Sequence, residues 1–410
     1  MRTVLSCICL FITSIVFAQR ECASSAYIDQ QKSADPSFVN RINDIENFVQ
    51  RQKVTARELG QVAPSIITIP VVVHILYKTA AQNISDERIK SQITALNNDF
   101  RRKNADTVNT PQRFKGIAAD VEIEFQLATA DPNGRATNGI IRKTTSVTRW
   151  STDDKIKFSS QGGDDAWDSH SYLNIWIGDL TTFLGYSSLP GAAAEKDGVV
   201  INYIAFGTIG VAAPYELGRT ATHEVGHWLG LKHIWGDSYC GDDLVEDTPK
   251  QGNFTVGCPT SFVTSCNNGE MGDMYMNYMD FTNDACMNLF TKGQKQRMLS
   301  FFKDGAPRNL LLASKGLNQP WITELPAETT KSNFKFYPNP TRGEMILDFN
   351  YNESWVGKTI SIVNINGVVV MKVQITSKIE RLNVSQLKAG MYFIQGENGD
   401  QKIRQKLVRL

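Results

Sequence analysis

The chain of 410 residues has room for two or three domains, and 41% hydrophobic with 21% charged residues is a globular balance rather than a disordered one. Lys+Arg 43 against Asp+Glu 42 leave a net charge of +1, which removes the electrostatic case for a nucleic-acid partner. After the first residues no apolar run reaches the 18 or so that a bilayer-spanning helix needs, so no transmembrane segment is expected.

Residues 1–18, MRTVLSCICLFITSIVFA, place one Arg before an apolar stretch that ends in a small residue. This predicts a secretory signal peptide cut between Ala18 and Gln19, and export through the periplasm to the medium or the cell surface. Its removal leaves Cys22, Cys240, Cys258, Cys266 and Cys286. In an oxidising compartment the last four predict two disulfides, with three pairings open, and Cys22 is left over. Residues 19–56 form a polar leader, a candidate propeptide, with a helix expected around 39–52. The β-branched run over 67–77 predicts a buried strand, and Ile89, Ile93, Leu96 and Phe100 predict a helix over 85–100. Residues 121–127 alternate with period two, and 172–177 read as a further strand. Strand–helix–strand order predicts a sheet packed by helices. Residues 319–332 carry Pro320 and Pro326 and read as a linker. The remaining residues, 333–410, show short alternating segments with turn signals, which predicts a small β-sandwich.

The chemistry concentrates in one span, His223-Glu224-x-x-His227-x-x-Gly230-x-x-His233. On a helix, i and i+4 share a face, so His223 and His227 can hold one ion together. Gly230 can take positive φ, end the helix and turn His233 back as a third ligand. Three neutral imidazoles with a fourth position open are the arrangement of catalytic zinc, which acidifies water and polarises a carbonyl. Glu224, beside the metal rather than on it, is placed to be the general base for the attacking water. The remaining histidines, His74 and His170, read as ordinary, with His74 a core residue of its strand.

This motif, with Tyr172-Leu173-Asn174-Ile175-Trp176, Asp247-Thr248-Pro249 and Asn277-Tyr278-Met279-Asp280, resembles the pappalysin (ulilysin-like) branch of the metzincin zinc proteases. The resemblance implies an α+β fold: a metzincin-type catalytic domain over 57–318, with a twisted mixed sheet, helices and a loop-rich lower subdomain, then a small Ig-like β-sandwich. It implies a zymogenic zinc endopeptidase acting on protein or peptide substrates. Met279 matches the Met-containing turn beneath the zinc. Phe281 stands where many relatives carry a tyrosine, which puts a tyrosine-assisted step in doubt. Asp284 matches an acid at the floor of the S1′ pocket, which would favour Arg or Lys after the scissile bond. The family pairing would be Cys240–Cys266 and Cys258–Cys286. Asp243 and Thr248 match a structural Ca²⁺ site. The segment holding Ser187 and Ser188 matches the rim strand to which extended substrates add by backbone hydrogen bonds. Cys22 would be the fourth zinc ligand that keeps the zymogen latent. Release would follow a cut near Gln50–Arg51 or Ala56–Arg57. The competing function is a non-catalytic surface adhesin on a protease fold, and the intact Glu224 argues against it. Phe336-Tyr337-Pro338-Asn339-Pro340, Asn364-Ile365-Asn366-Gly367 and Gly390-Met391-Tyr392 resemble the C-terminal sorting domain read by the type IX secretion machinery.

Overall fold

The structure, a computed structural model, describes residues 21–58, 66–320, 334–349, 352–365, 367–399 and 401–410, with only the backbone of 52–58 and 401. The signal peptide and its cut, and nearly all of the linker, lie outside these residues. The chain divides into two compact units, Met1–Trp321 and Ile322–Leu410.

In the first unit the leader forms α1 (Ser24–Ala34) and α2 (Pro36–Glu58). The sequence predicted one shorter helix. It missed α1 because SSAYIDQQKSA has no amphipathic stripe; its buried residues are Ser24 and Tyr27. Then come β1 (Ile67–Tyr77), α3 (Asp86–Phe100), the single turn α4 (Gln112–Lys115), β2 (Ile123–Leu127), β3 (Ile140–Thr144), β4 (Leu173–Gly178), β5 (Gly185–Ser187), β6 (Val199–Asn202), α5 (Arg219–Trp228) and α6 (Lys292–Ser300). The sheet runs β2-β1-β4-β6-β5, with β3 also on β1. β1 pairs in parallel with β2 along its first half, β3 along its second and β4 through its middle. It is therefore central, which explains why eight consecutive residues of it are buried and all but His74 of these are apolar. Only β5 is antiparallel, against β6 at the edge. Ser85 caps α3 by accepting from the Arg88 N–H, and the predicted apolar face of that helix packs with β1, β4 and α5 in the main core.

After α5 the chain contains no strand or α-helix until α6. This loop-rich half holds five non-glycine residues in the left-handed region, Asp237, Cys240, Leu244, Cys266 and Asn267. Disulfides Cys240–Cys266 and Cys258–Cys286 close it. Thr291 and Gln294 form a capping box that starts α6.

The second unit contains β7 (Lys335–Tyr337), β8 (Glu344–Asp348), β9 (Thr359–Asn364), β10 (Val369–Gln374), β11 (Ile379–Asn383), β12 (Gly390–Asn398) and β13 (Gln401–Arg409). Two antiparallel sheets, β10-β9-β12-β13 and β11-β8-β7, enclose one core of Leu347, Trp355, Ile360, Ile362, Ile394 and Leu407 among others. This is a β-sandwich.

Candidate metal centre

α5 is buried along its whole length. It places His223 and His227 on one face and Glu224 beside them. The helix closes in a Schellman motif: Leu231 N–H donates to Gly226 O and Gly230 N–H to His227 O, with Gly230 at φ +84°. A Cβ on Gly230 would sit 2.2 Å from the Phe301 ring, so both conformation and space require glycine. The turn brings His233 back. The Nε2 atoms of His223 and His233 each lie 3.1 Å from that of His227.

Second contacts fix the tautomers. Nδ1 of His223 donates to Tyr278 O at 2.7 Å and Nδ1 of His227 to Leu231 O at 2.9 Å. Nδ1 of His233 is 2.5 Å from Asp237 Oδ1. Each carbonyl only accepts, so the proton is on Nδ1 and the Nε2 lone pair points inward. Burial, then the neighbouring His233, hold His227 well below the usual histidine range, in its neutral form. Two such lone pairs face each other only at the cost of repulsion, unless a cation lies between them. A tetrahedron with metal–nitrogen bonds of 2.0–2.1 Å has edges of about 3.4 Å. The spacing of the three nitrogens fits Zn²⁺.

The leader approaches the open side of this triad. The Cys22 Sγ and the three imidazole nitrogens all lie within 4.8 Å of one another. Cys22 forms a parallel bridge to Gly185 of β5, and Ala23 N–H donates to Gly185 O at 2.9 Å. Gly185 also carries Glu224 against it; a Cβ there would lie 2.9 Å from the carboxylate. Burial and the Glu224 carboxylate push the Cys22 thiol up; a dication is the group that would reverse this shift and hold a thiolate. Ser24 Oγ donates to Glu224 Oε2 at 2.9 Å and accepts the Ser187 N–H at 2.9 Å. Ser25 Oγ donates to Asp237 Oδ1 at 2.8 Å.

The other predicted residues are distributed as follows. Met279 is fully buried, and its sulfur fills the space where a Cβ on Gly226 would stand. Phe281 packs against the His223 and His233 rings, with centroids 5.6 and 4.9 Å away. Asp284 is buried, and its Oδ2 accepts from the N–H groups of Leu217 and Arg219 at 2.9 and 3.1 Å. Ser187 and Ser188 turn their hydroxyls into the fold, toward Ser188 O and Asp197, so β5 meets the leader with its backbone. Thr248 Oγ1 lies 2.9 Å from both oxygens of Asp243, whose carboxyl burial pushes up to about 7. His74 is a core residue bonded to Asp164 and Asn174.

Sequence reasoning gave no role to Ser24, Ser25, Asp237, Asp99, Arg219, Thr222 or Tyr278, the last four of which form a buried set that pins the start of α5. Arg219 pairs with Asp99 and donates to Tyr278 Oη at 2.7 Å, while Thr222 donates to Asp99 at 2.6 Å. Asp237 carried a signal, since it follows His233 by four residues. Thr222, Tyr278, Ser24 and Ser25 stand close to predicted site residues, but the partners that give them a role lie far away in sequence.

Residues 157–303 match the family described as Pregnancy-associated plasma protein-A, the M43 peptidases, and residues 335–409 match the secretion-system C-terminal sorting domain. An extracellular metalloprotease of Arthroderma benhamiae is 29% identical over 70% of this chain and 91% of its own. One from Arthroderma otae is 31% identical over 57% and 76%. Among solved structures, Tannerella forsythia mature mirolysin in complex with a cleaved peptide is 52% identical, covers 61% of this chain and 97% of its own, and superposes with a TM-score of 0.60. A promirolysin mutant from the same organism, with a glutamate replaced by alanine, is 48% identical, covers 72% and 97%, and gives 0.66. With its imidazole triad, its leader and its sorting tail accounted for, the chain belongs to the pappalysin family of metzincins, as a secreted zinc metalloendopeptidase carrying a type IX secretion tail.

Proposed function

We propose that the chain is the latent form of an endopeptidase that cuts before Arg or Lys, with Glu224 as general base and Cys22 as the group that blocks it. The observation that carries this reading is the leader's path: Cys22 at the imidazoles and Ser24 on the Glu224 carboxylate, both along the outer edge of β5. Zn²⁺ held by His223, His227 and His233 supplies the positive charge that polarises the scissile carbonyl and acidifies water. Glu224 takes the proton of the attacking water and returns it to the leaving amine. A substrate strand lies along β5 and bonds to the backbone of Gly185 and Ser187, in the place of the leader. The Tyr278 carbonyl fixes His223, and Met279 packs against Gly226 of the same helix. Asp284 offers a buried charge to a basic side chain after the cut, a pairing strengthened by its dry surroundings. Asp243 and Thr248 gather oxygen donors suited to a Ca²⁺ that would neutralise the buried carboxyl.

Both candidate maturation bonds, Gln50–Arg51 and Ala56–Arg57, lie in α2. A protease needs an extended strand, and the final turn of a helix opens first. Ala56–Arg57 is therefore the first cut, followed by loss of the leader.

The test is mass-spectrometric mapping of cuts in a mixed peptide library by the wild type, Glu224→Ala and Asp284→Ala, with and without a zinc chelator. Chelator-sensitive cuts before Arg and Lys are expected from the wild type. Glu224→Ala should lose activity by about 10²–10⁴-fold while retaining zinc, and Asp284→Ala should cut with relaxed preference. A protein that holds zinc and cuts nothing returns the adhesin reading.

A further inference from the structure

The leader makes one contact that latency does not require. A turn of helix beyond Ala23, Tyr27 is only 2% exposed, yet the residues that bury it belong to the catalytic unit. Its hydroxyl donates to Asp154 Oδ1 at 2.8 Å and accepts from Lys157 Nζ at 3.1 Å. Its ring lies 4.8 Å from that of Tyr186, centroid to centroid, and 4.7 Å from the Lys157 ammonium. Lys157 is itself fully buried and also bonds Asp154 at 2.9 Å and Lys196 O at 2.8 Å. Tyr186 is fully buried on β5, and its hydroxyl has no hydrogen-bond partner among the described residues.

We propose that this pocket is a substrate subsite of the mature enzyme, built to take a tyrosine side chain, and that Tyr27 occupies it in the zymogen as a stand-in. The proposal rests on the endopeptidase reading above. Removal of the leader uncovers an aspartate–lysine pair and an aromatic wall at the edge strand where a substrate lies. A substrate phenol restores both hydroxyl bonds and the ring contact. A phenylalanine restores only the ring contact, and an alanine restores neither. Tyr27 follows Ala23 by four helical residues, about 6 Å, which an extended chain covers in about two residues. The tyrosine therefore belongs two or three residues from the scissile bond. Asp154 and Lys157 act as specificity residues; neither touches the reacting atoms.

The test uses the mature enzyme released from the full chain. Peptides with a fixed Arg directly after the scissile bond carry a single Tyr, Phe or Ala at each of the three positions before the bond and at the second and third positions after it. At one position, two or three residues from the cut, Tyr should exceed Phe in kcat/KM by about tenfold, and Ala by more. Asp154→Asn, whose side chain tolerates the left-handed backbone found there (φ +63°), should lower the Tyr-to-Phe ratio severalfold, because its neutral oxygen is a weaker acceptor for the phenol. If that variant does not fold, the wild-type series alone decides. Efficient cleavage with no position that favours Tyr over Phe overturns the subsite and leaves the endopeptidase intact. Failure to cleave any peptide overturns the endopeptidase reading, and the subsite with it.

Discussion

Before α5 the catalytic unit is held by sheet pairing and apolar packing: β1 alone pairs with three strands, and its central residues are buried without a break. After α5 the described part of this unit has no sheet, and its backbone is fixed by two disulfides and by carboxylates that accept from the main chain, such as Asp280 from Thr255 N–H at 2.7 Å. The metal centre lies where these halves meet. His223 and His227 come from the helix, and the groups that orient them, Tyr278 O and Leu231 O, come from the loops. The difference teaches that the first half supplies rigidity cheaply in sequence terms, while the second obtains it from a few specific side chains. Single substitutions should therefore be felt most at the junction, then in the loops.

The largest effect is expected at Arg219. Its buried guanidinium serves Asp99, Asp106 and Tyr278, which belong to α3, the following loop and the turn below the metal. Burial pushes Asp99 up to about 7 even with Arg219 beside it. Arg219→Met removes the cation and strands two carboxylates. A loss of about 3–5 kcal/mol is expected in urea unfolding, together with weaker zinc retention. An unchanged midpoint would mean that the halves are not coupled through this cluster.

The next effect isolates the loops. Replacing Cys258 and Cys286 together by serine should cost about 2–4 kcal/mol. Hydrogen exchange should rise in 229–291 and stay protected in β1 and β4. Uniform loss of protection would contradict the contrast between the halves.

What could be read from the sequence follows the same division. The candidate metal ligands stood out because i, i+4 spacing and a glycine are local signals, and β1 was legible because a central strand is mostly apolar. β5 and β6 were not found from pattern; three or four residues carry no measurable period. Asp99 sits in α3 among polar residues and nothing in the spacing marks it as inward-facing, since its partner Arg219 lies 120 positions away. The leader's role came from one leftover cysteine, while Tyr27 gave no signal because its partners, Asp154 and Lys157, are fixed by tertiary packing alone.

A smaller effect is expected from pH. Burial pushes Asp280 up to about 7, although Gln251, Thr255 and Phe281 all donate to it. Its ordinary value is 3.8. Between about pH 4 and 7 the folded state keeps this proton and the unfolded state releases it, so stability falls as pH rises through that window. The slope is at most about 1.4 kcal/mol per pH unit for one proton. Asp280→Asn should flatten the stability curve there relative to wild type. A parallel pair of curves would show that the carboxyl is ionised in the fold.

The smallest effect tests the leader's grip on the upper rim. Ser24 makes two bonds, to Glu224 Oε2 and from the Ser187 N–H, and both disappear in Ser24→Ala. Cys22 and the α2 contact of Glu46 with Arg297 remain. The loss should be about 1 kcal/mol, because water takes over part of each bond when the leader lifts. Zymogen conversion should quicken roughly fivefold. If maturation removes the leader as proposed, residue 24 is gone from the mature enzyme and its kcat/KM must be the same from either precursor. If the mature activities differ, Ser24 acts on folding rather than on latency. If conversion is unaltered, the serine only fills space beside a base that Cys22 already blocks.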